Sequence, residues 1–200
     1  MTIRHEIASV FGGKAFARPL FYEYPGGLRF ELSNGEMSLI RFLSAIRTAT
    51  KICEDIFEAE EAIAVCLRVT PETNCFAHRK VIAQLRGASI EFPRIREYWI
   101  EPAGLEQQCI AFEVPHPMLQ NLLWCALARD FGSIRPRPYC SVYLFSMKRG
   151  VMVLPYDDRG MDVVGPNRML LSRLYAAHEQ HLLHHDRMTM DATFALPFPT

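Results

Sequence analysis

The chain predicts an α+β fold, a mixed, largely antiparallel sheet flanked by several helices. Three observations carry that expectation. Residues 139–154 read as two strands around a Lys148-Arg149-Gly150 turn, an antiparallel hairpin. Met37, Ile40, Leu43, Ile46, Ala49, Ile52 and Ile56 recur at three- and four-residue steps, the apolar stripe of a helix about five turns long. Ala62 to Val69 is apolar almost throughout, which suits a central strand covered on both faces.

The elements follow in order. Residues 1–25 form a lead-in punctuated by Gly12, Gly13, Pro19 and Pro25, with Phe11, Phe16, Phe21, Tyr22 and Tyr24 available to dock on a core. Leu28-Arg29-Phe30-Glu31-Leu32 alternates apolar and charged residues, the period of a half-buried strand. Ser33 and Glu36 have capping-box spacing ahead of the long helix. A short helix is expected over 76–85. Strands are expected over 95–100 and 109–114, joined by a Pro-Ala-Gly loop. Pro117 suits the first turn of a helix running to about Arg129, because its missing N–H has no partner to lose there. Beyond the hairpin, Met161, Val163 and Val164 form a short apolar segment. A last helix is expected from Arg168 to His184. With no repeat and no clean linker, residues 1–200 read as one domain, with 26–194 as its core and 195–200 as a tail.

Composition narrows function by exclusion. The 200 residues hold 22 Lys+Arg and 22 Asp+Glu, a formal net charge of zero, so nothing pulls the chain toward nucleic acid or anionic lipid in general. Half the residues are hydrophobic, which excludes intrinsic disorder. Apolar runs stop short of the ~18 residues of a membrane span, and the N-terminus lacks the apolar stretch of a signal peptide. The six cysteines include no C-x-x-C pair, and five lie in apolar stretches. Core packing in a reduced cytoplasm is the expectation, with Cys75 the most accessible thiol. No cofactor and no metal site is expected.

The C-terminal third carries a resemblance. Phe131-Gly132, Ile134-Arg135-Pro136-Arg137, Tyr156-Asp157-Asp158-Arg159-Gly160-Met161-Asp162-Val163, Leu174-Tyr175 and Asp186-Arg187 resemble blocks of a bacterial family of unknown function, the DUF three-eight-eight-five type. Gly27-Leu28-Arg29-Phe30-Glu31-Leu32 resembles that family's N-terminal block, so the likeness brackets roughly residues 22–194. It implies a bacterial cytoplasmic protein and no particular activity.

Four groups of residues bear chemistry. Asp157, Asp158, Arg159 and Asp162 place three carboxylates within six residues. Such a group binds a divalent cation or serves acid–base chemistry if vacant; otherwise it is an Asx-type turn in which Asp caps backbone N–H groups. Arg135 and Arg137 sit on a stiff Arg-Pro-Arg-Pro segment and are expected to pair with Asp157 or Asp158; the alternative is a clamp on a carboxylate or phosphate. Arg29 and Glu31 are candidates for the same polar face. His178, His181 and His185 fall at i, i+3 and i+7 of the expected last helix, where solvent-exposed histidines are the plainer reading and metal chelation the alternative. Finally Glu54, Asp55, Glu58, Glu60 and Glu61 crowd the end of the first long helix with no Lys or Arg among them. Carboxylates there oppose the helix dipole, so solubility or a basic partner must explain them.

Two functions follow. The first is a non-catalytic protein-binding module of immunity or antitoxin type, which neutralises a protein toxin through its acidic patch. The second is an enzyme or small-ligand-binding protein with a polar Asp/Arg cleft. Carboxylates already filled by guanidinium and backbone donors would weigh against the second.

Overall fold

The computed structural model describes residues 1–34, 38–69, 77–101 and 107–194. Among these, strands β1 (Leu28–Glu31), β2 (Ala62–Val69), β3 (Glu97–Glu101), β4 (Gln107–Pro115), β5 (Ser141–Ser146), β6 (Val151–Pro155) and β7 (Gly160–Val164) form one sheet. Its order is β1-β7-β6-β5-β2-β4-β3 and every pairing is antiparallel. The α+β expectation holds.

Strand β2 shows why its sequence is so apolar. Both faces of the sheet are covered, so each alternate side chain enters a different core. Ile63, Val65, Leu67 and Val69 join the larger core, which includes buried residues of α3 (Ser38–Phe57), α5 (Leu119–Leu127) and α6 (Arg168–Ala177). Ala64 and Cys66 join a smaller one built with α1 (Ile3–Phe11) and the segment after it. The buried stripe of α3 is Phe42, Ala45, Ala49, Ile52, Cys53 and Ile56 at helical spacing; the expected Ile40 and Leu43 are exposed instead, because the first turns face the core through Phe42 and Ala45.

The second core is aromatic because its floor is small. Ala64, Cys66 and Ala111 leave room above the central strands, and rings fill it. Phe11 packs on Phe145 at 5.5 Å between centroids, and Phe16 meets Tyr143 edge-on at 5.2 Å. Burying a side chain of this size contributes about 1.5–3 kcal/mol, so the lead-in and the short α2 (Leu20–Glu23) hold the second face of the sheet closed.

One expectation needs correction. The last helix does not run from Arg168 to His184. It ends at Ala177, gives way to 3-10 turns at Glu179–His181 and His184–Asp186, and is followed by α7 (Arg187–Phe194). The open edge of β1 is the reason. Leu182 and Leu183 turn extended, Leu182 bridges Phe30, and the Leu183 N–H donates to the Arg29 carbonyl at 2.9 Å. An edge strand's free carbonyl thus competes successfully with helix continuation. The histidines therefore do not share one helical face, and no group of His, Cys, Asp or Glu among the described residues is placed to hold a metal ion. A second expectation changes partner: the Ser33 hydroxyl donates to the Asp158 carbonyl at 2.7 Å, while Glu36 lies outside the described residues.

Helix α4 (Ala77–Gly87) extends two residues beyond its expected end, and the helix after Pro117 begins and ends in 3-10 turns. The Pro-Ala-Gly loop, Cys75 and the 195–200 tail lie outside the described residues. No described helix is long and apolar enough to cross a membrane.

The other five cysteines are free and buried. Burial pushes the thiols of Cys125 and Cys140 up to about 12, and that of Cys53 higher still. Near the ordinary thiol value of about 8.5 these three stay protonated, and burial shields all five from reagent. A thiol reagent at that pH is expected to leave all five unmodified in native protein and to modify all five in urea. Site-resolved mass spectrometry reads the result, and rapid native labelling of any of them would contradict it.

Candidate functional site

Antiparallel register brings the site together. Arg29 of β1 faces Asp162 of β7, which in turn faces Leu154 of β6. All three lie on the second face of the sheet, beneath α2. Arg29 Nε donates to Asp162 Oδ1 at 2.8 Å and Nη2 to Oδ2 at 3.2 Å, a forked pairing. Its Nη1 donates to Asp186 Oδ2 at 3.0 Å, and the Tyr22 hydroxyl donates to Asp186 Oδ1 at 2.7 Å. The Phe21 N–H completes Asp162 at 3.2 Å.

Rings enclose this ion cluster. The guanidinium carbon of Arg29 lies 4.9 Å from the centroids of Phe21 and Tyr22 and 5.6 Å from that of Tyr156. Only 12% of the Arg29 side chain and 3% of Asp162 remain exposed. Burial alone would lower the Arg29 pKa, but the hydrogen bonds and charge of Asp162 and Asp186 more than offset it and hold the group charged. Burial raises the Asp162 carboxyl, and Arg29 restrains that rise. The Tyr156 phenol is pushed up by burial, then by the charge of Asp162. Its hydroxyl lies over Gly160, where a Cβ would stand 1.8 Å from it. Glycine is what lets the ring lie flat against β7.

The other two acids of the Asp-rich turn go elsewhere. Asp157 Oδ1 accepts the backbone N–H groups of Arg159 and Gly160 at 2.8 and 3.1 Å, and Oδ2 accepts the Arg159 guanidinium at 2.6 Å. This is the Asx turn of the β6–β7 hairpin. Asp158 is buried and accepts Arg41 of α3 at 2.8 and 2.9 Å. Three carboxylates within six residues therefore serve three separate tasks: closing a hairpin, holding a helix and neutralising Arg29.

Arg135 and Arg137 correct the expected pairing. Arg135 donates to the carbonyls of Gly132 and Ile134, both at 2.8 Å, and Arg137 to that of Phe131 at 3.3 Å. The Arg137 N–H also reaches Gln84 of α4 at 2.7 Å. These residues brace the loop before β5 against α4 and make no ion pair with Asp157 or Asp158. Glu31 is half-buried, on the same side of β1 as Arg29, at the edge of a separate cavity of about 200 Å³ that also touches Ser44 and His181.

The acidic patch lies at the other end of the strands. The β5–β6 turn is beside it and the β6–β7 turn is remote from it, so the five residues of β6 separate them by about 17 Å. Glu54, Asp55, Glu58 and Glu61 are exposed. Asp55 Oδ2 lies 2.7 Å from Nε2 of the buried His178, and Glu60 accepts the Ser146 hydroxyl. Glu6 of α1 and Glu113 of β4 join Glu60 and Glu61 around a hollow of about 330 Å³. The cation missing from this stretch of sequence comes from the β5–β6 turn. Arg149 Nη1 donates to the Asp55 and Ile56 carbonyls at 3.0 Å, capping α3 and countering its dipole.

Sequence reasoning missed Arg18, Arg41, Arg68, Tyr22 and Asp186 as parts of polar clusters. A signal existed for Arg68, the one charge in the apolar run 62–69. Asp186 was visible as part of a family-like block and as a neighbour of the histidines, with nothing to point it at Arg29.

Fold and site together define an α+β protein with an antiparallel sheet, one face of which buries an Arg–Asp–Asp ion cluster under an N-terminal helical segment. Residues 3–186 match the family described as Domain of unknown function (DUF3885), and the chain belongs to that family. Comparisons with curated proteins and with solved structures find no match.

Proposed function

We propose that this protein is a non-catalytic binding module of immunity or antitoxin type, which neutralises a toxin by covering a basic surface of it with the acidic end of the sheet. The observation that supports this reading is the charge distribution there. Glu54, Glu58 and Glu61 are exposed, they make no ion pair among the described residues, and Glu6 and Glu113 add to the same end from other elements. Against Lys148 at the same hollow, these acids from three parts of the chain leave a net negative end. Such an end gains on meeting a basic surface and speeds association with it.

Of the alternative, an enzyme or small-ligand-binding protein with a polar Asp/Arg cleft, the enzyme is disfavoured by the filling of the carboxylates. Asp157, Asp158 and Asp162 are each occupied by a guanidinium, and Asp157 and Asp162 by backbone donors as well. A general base needs a free lone pair within reach of a substrate proton.

The test is calorimetric titration with the protein encoded by a neighbouring toxin gene, at low and high salt. Reversing Glu54, Glu58 and Glu61 to Lys together is expected to weaken binding by roughly tenfold or more and to flatten its salt dependence. Glu60 is left in place because it holds Ser146. Unchanged affinity in the triple reversal would remove the reading.

A further inference from the structure

Two guanidiniums on the second face have no carboxylate partner. Arg68 projects from β2 and is 5% exposed. Its Nη1 donates to the Phe16 carbonyl at 2.9 Å and lies 3.5 Å from the Tyr143 hydroxyl, while its Nε is buried with no acceptor. Arg18 reaches the same tyrosine from above. Its Nε and Nη2 each lie 3.3 Å from Tyr143 Oη, and Nη2 donates to Ser141 Oγ at 2.5 Å. Register explains the convergence, since Arg68 faces Ser141 and Cys66 faces Tyr143 across β2 and β5. No ion pair among the described residues includes Arg18 or Arg68. A buried arginine is ordinarily paired with an acid, because neutral oxygens compensate a desolvated charge poorly.

Arg18, the nearer of the two to solvent, also lines a cavity of about 440 Å³. The cavity's polar lining is Arg18, Arg29 and Asp162; Pro19, Leu20, Leu154 and Tyr156 supply the rest. Asp162 is already committed to Arg29 and the Phe21 N–H. The hollow therefore combines apolar walls with a positive charge that nothing in it neutralises, at a size typical of small-molecule sites, roughly 300–1,000 Å³.

We propose that this cavity binds a small organic monocarboxylate, with its carboxylate on Arg18 and its apolar body against Leu20, Leu154 and Tyr156. Arg68 backs the site with a second positive charge from beneath Tyr143. A single negative charge is selected because Asp162 lines the cavity and Asp186 stands behind it on Arg29, so a phosphate dianion meets repulsion that a carboxylate largely avoids. This site is at the opposite end of the strands from the acidic patch, and it stands or falls independently of the binding-module reading.

The experiment is a two-dimensional amide NMR titration of the full chain with four probes: hexanoate, phenylacetate, hexanol and phenyl phosphate. Each is taken to about 10 mM, where small fragments with modest ligand efficiency saturate. Both carboxylates are expected to give saturable shifts centred on the amides of Arg18, Leu20, Leu154 and Tyr156, with hexanol and phenyl phosphate at least about tenfold weaker. Arg18→Gln is expected to lower carboxylate affinity by about tenfold, the loss of a charge-assisted contact. Arg18 is exposed, and the variant's own spectrum reports whether it folds. Three results would each overturn the assignment: no saturable shift from either carboxylate, hexanol binding as well as hexanoate, or Arg18→Gln leaving affinity unchanged. Tighter binding of phenyl phosphate than of phenylacetate would overturn the monoanion choice.

Discussion

Arg29→Met is expected to lose about 3–5 kcal/mol of stability, the cost of leaving a buried charge without its partner. The effect is large because one side chain serves two carboxylates and three rings. Asp162 and Asp186 are 3% and 5% exposed, so water cannot replace the guanidinium. Methionine fills most of the volume, so the loss reports charge rather than a cavity. The pH dependence carries a sign. Burial raises the Asp162 carboxyl in the folded state, and removing Arg29 removes what restrains that rise. A carboxyl with a raised folded pKa loses stability as pH climbs through that value and regains it as pH falls. The deficit of Arg29→Met relative to wild type should therefore shrink on acidification from neutral pH toward the ordinary carboxylate range. Urea unfolding across that interval checks it; a deficit that grows on acidification would contradict the ion cluster as described.

Gly165→Ala is expected to cost about 3 kcal/mol, the upper end of overpacking. A Cβ at Gly165 would stand 2.1 Å from the Gly150 carbonyl oxygen and 2.9 Å from the Val151 Cα. Both are backbone atoms, so no rotamer change relieves the clash. The β5–β6 turn must move away from the segment leading into α6. That turn carries Arg149, whose guanidinium caps α3, and the Arg149 carbonyl accepts the Asn167 side-chain amide at 2.8 Å. The substitution should therefore loosen the acidic end of the molecule as well as lower the urea midpoint. Gly132→Ala is the control, because its Cβ would meet nothing within 4 Å. Equal midpoints for the two variants would show that the close approach at Gly165 is not as described.

Much of the fold was legible because local patterns and tertiary burial agreed. The doubly covered β2 and the β5–β6 hairpin appear where periodicity puts them. In α3 only the later part of the expected stripe does, since Ile40 and Leu43 are exposed while Phe42 and Ala45 are buried. The final helix did not, because the break at Leu182 answers to the edge of β1, a partner some 150 residues earlier. Periodicity over 168–184 contains no trace of that demand. Arg135 and Arg137 failed for a related reason. Opposite charges suggested a pair, yet nearby carbonyls in the loop before β5 were closer acceptors.

The candidate site was legible in composition and illegible in arrangement. Arg29 and Asp162 were both named, but Asp157, Asp158 and Asp162 looked like one cluster. Proximity along the chain is a poor guide where a hairpin turns, since alternate residues leave on opposite faces.

From the amino-acid order alone came the class of fold, the strands and helices with strong period, the burial of most cysteines and the surplus of acid after α3. These depend on neighbours within a few residues, where hydrophobic spacing dictates which side meets a core. Tertiary structure alone decided that Arg41 rather than Arg135 or Arg137 pairs with Asp158, that Arg29 neutralises Asp162, that Arg149 caps α3, and that Arg18 and Arg68 meet at Tyr143 without an acid. Such pairings rest on register between strands distant in sequence. A shift of one residue there exchanges every partner while leaving the local pattern unaltered.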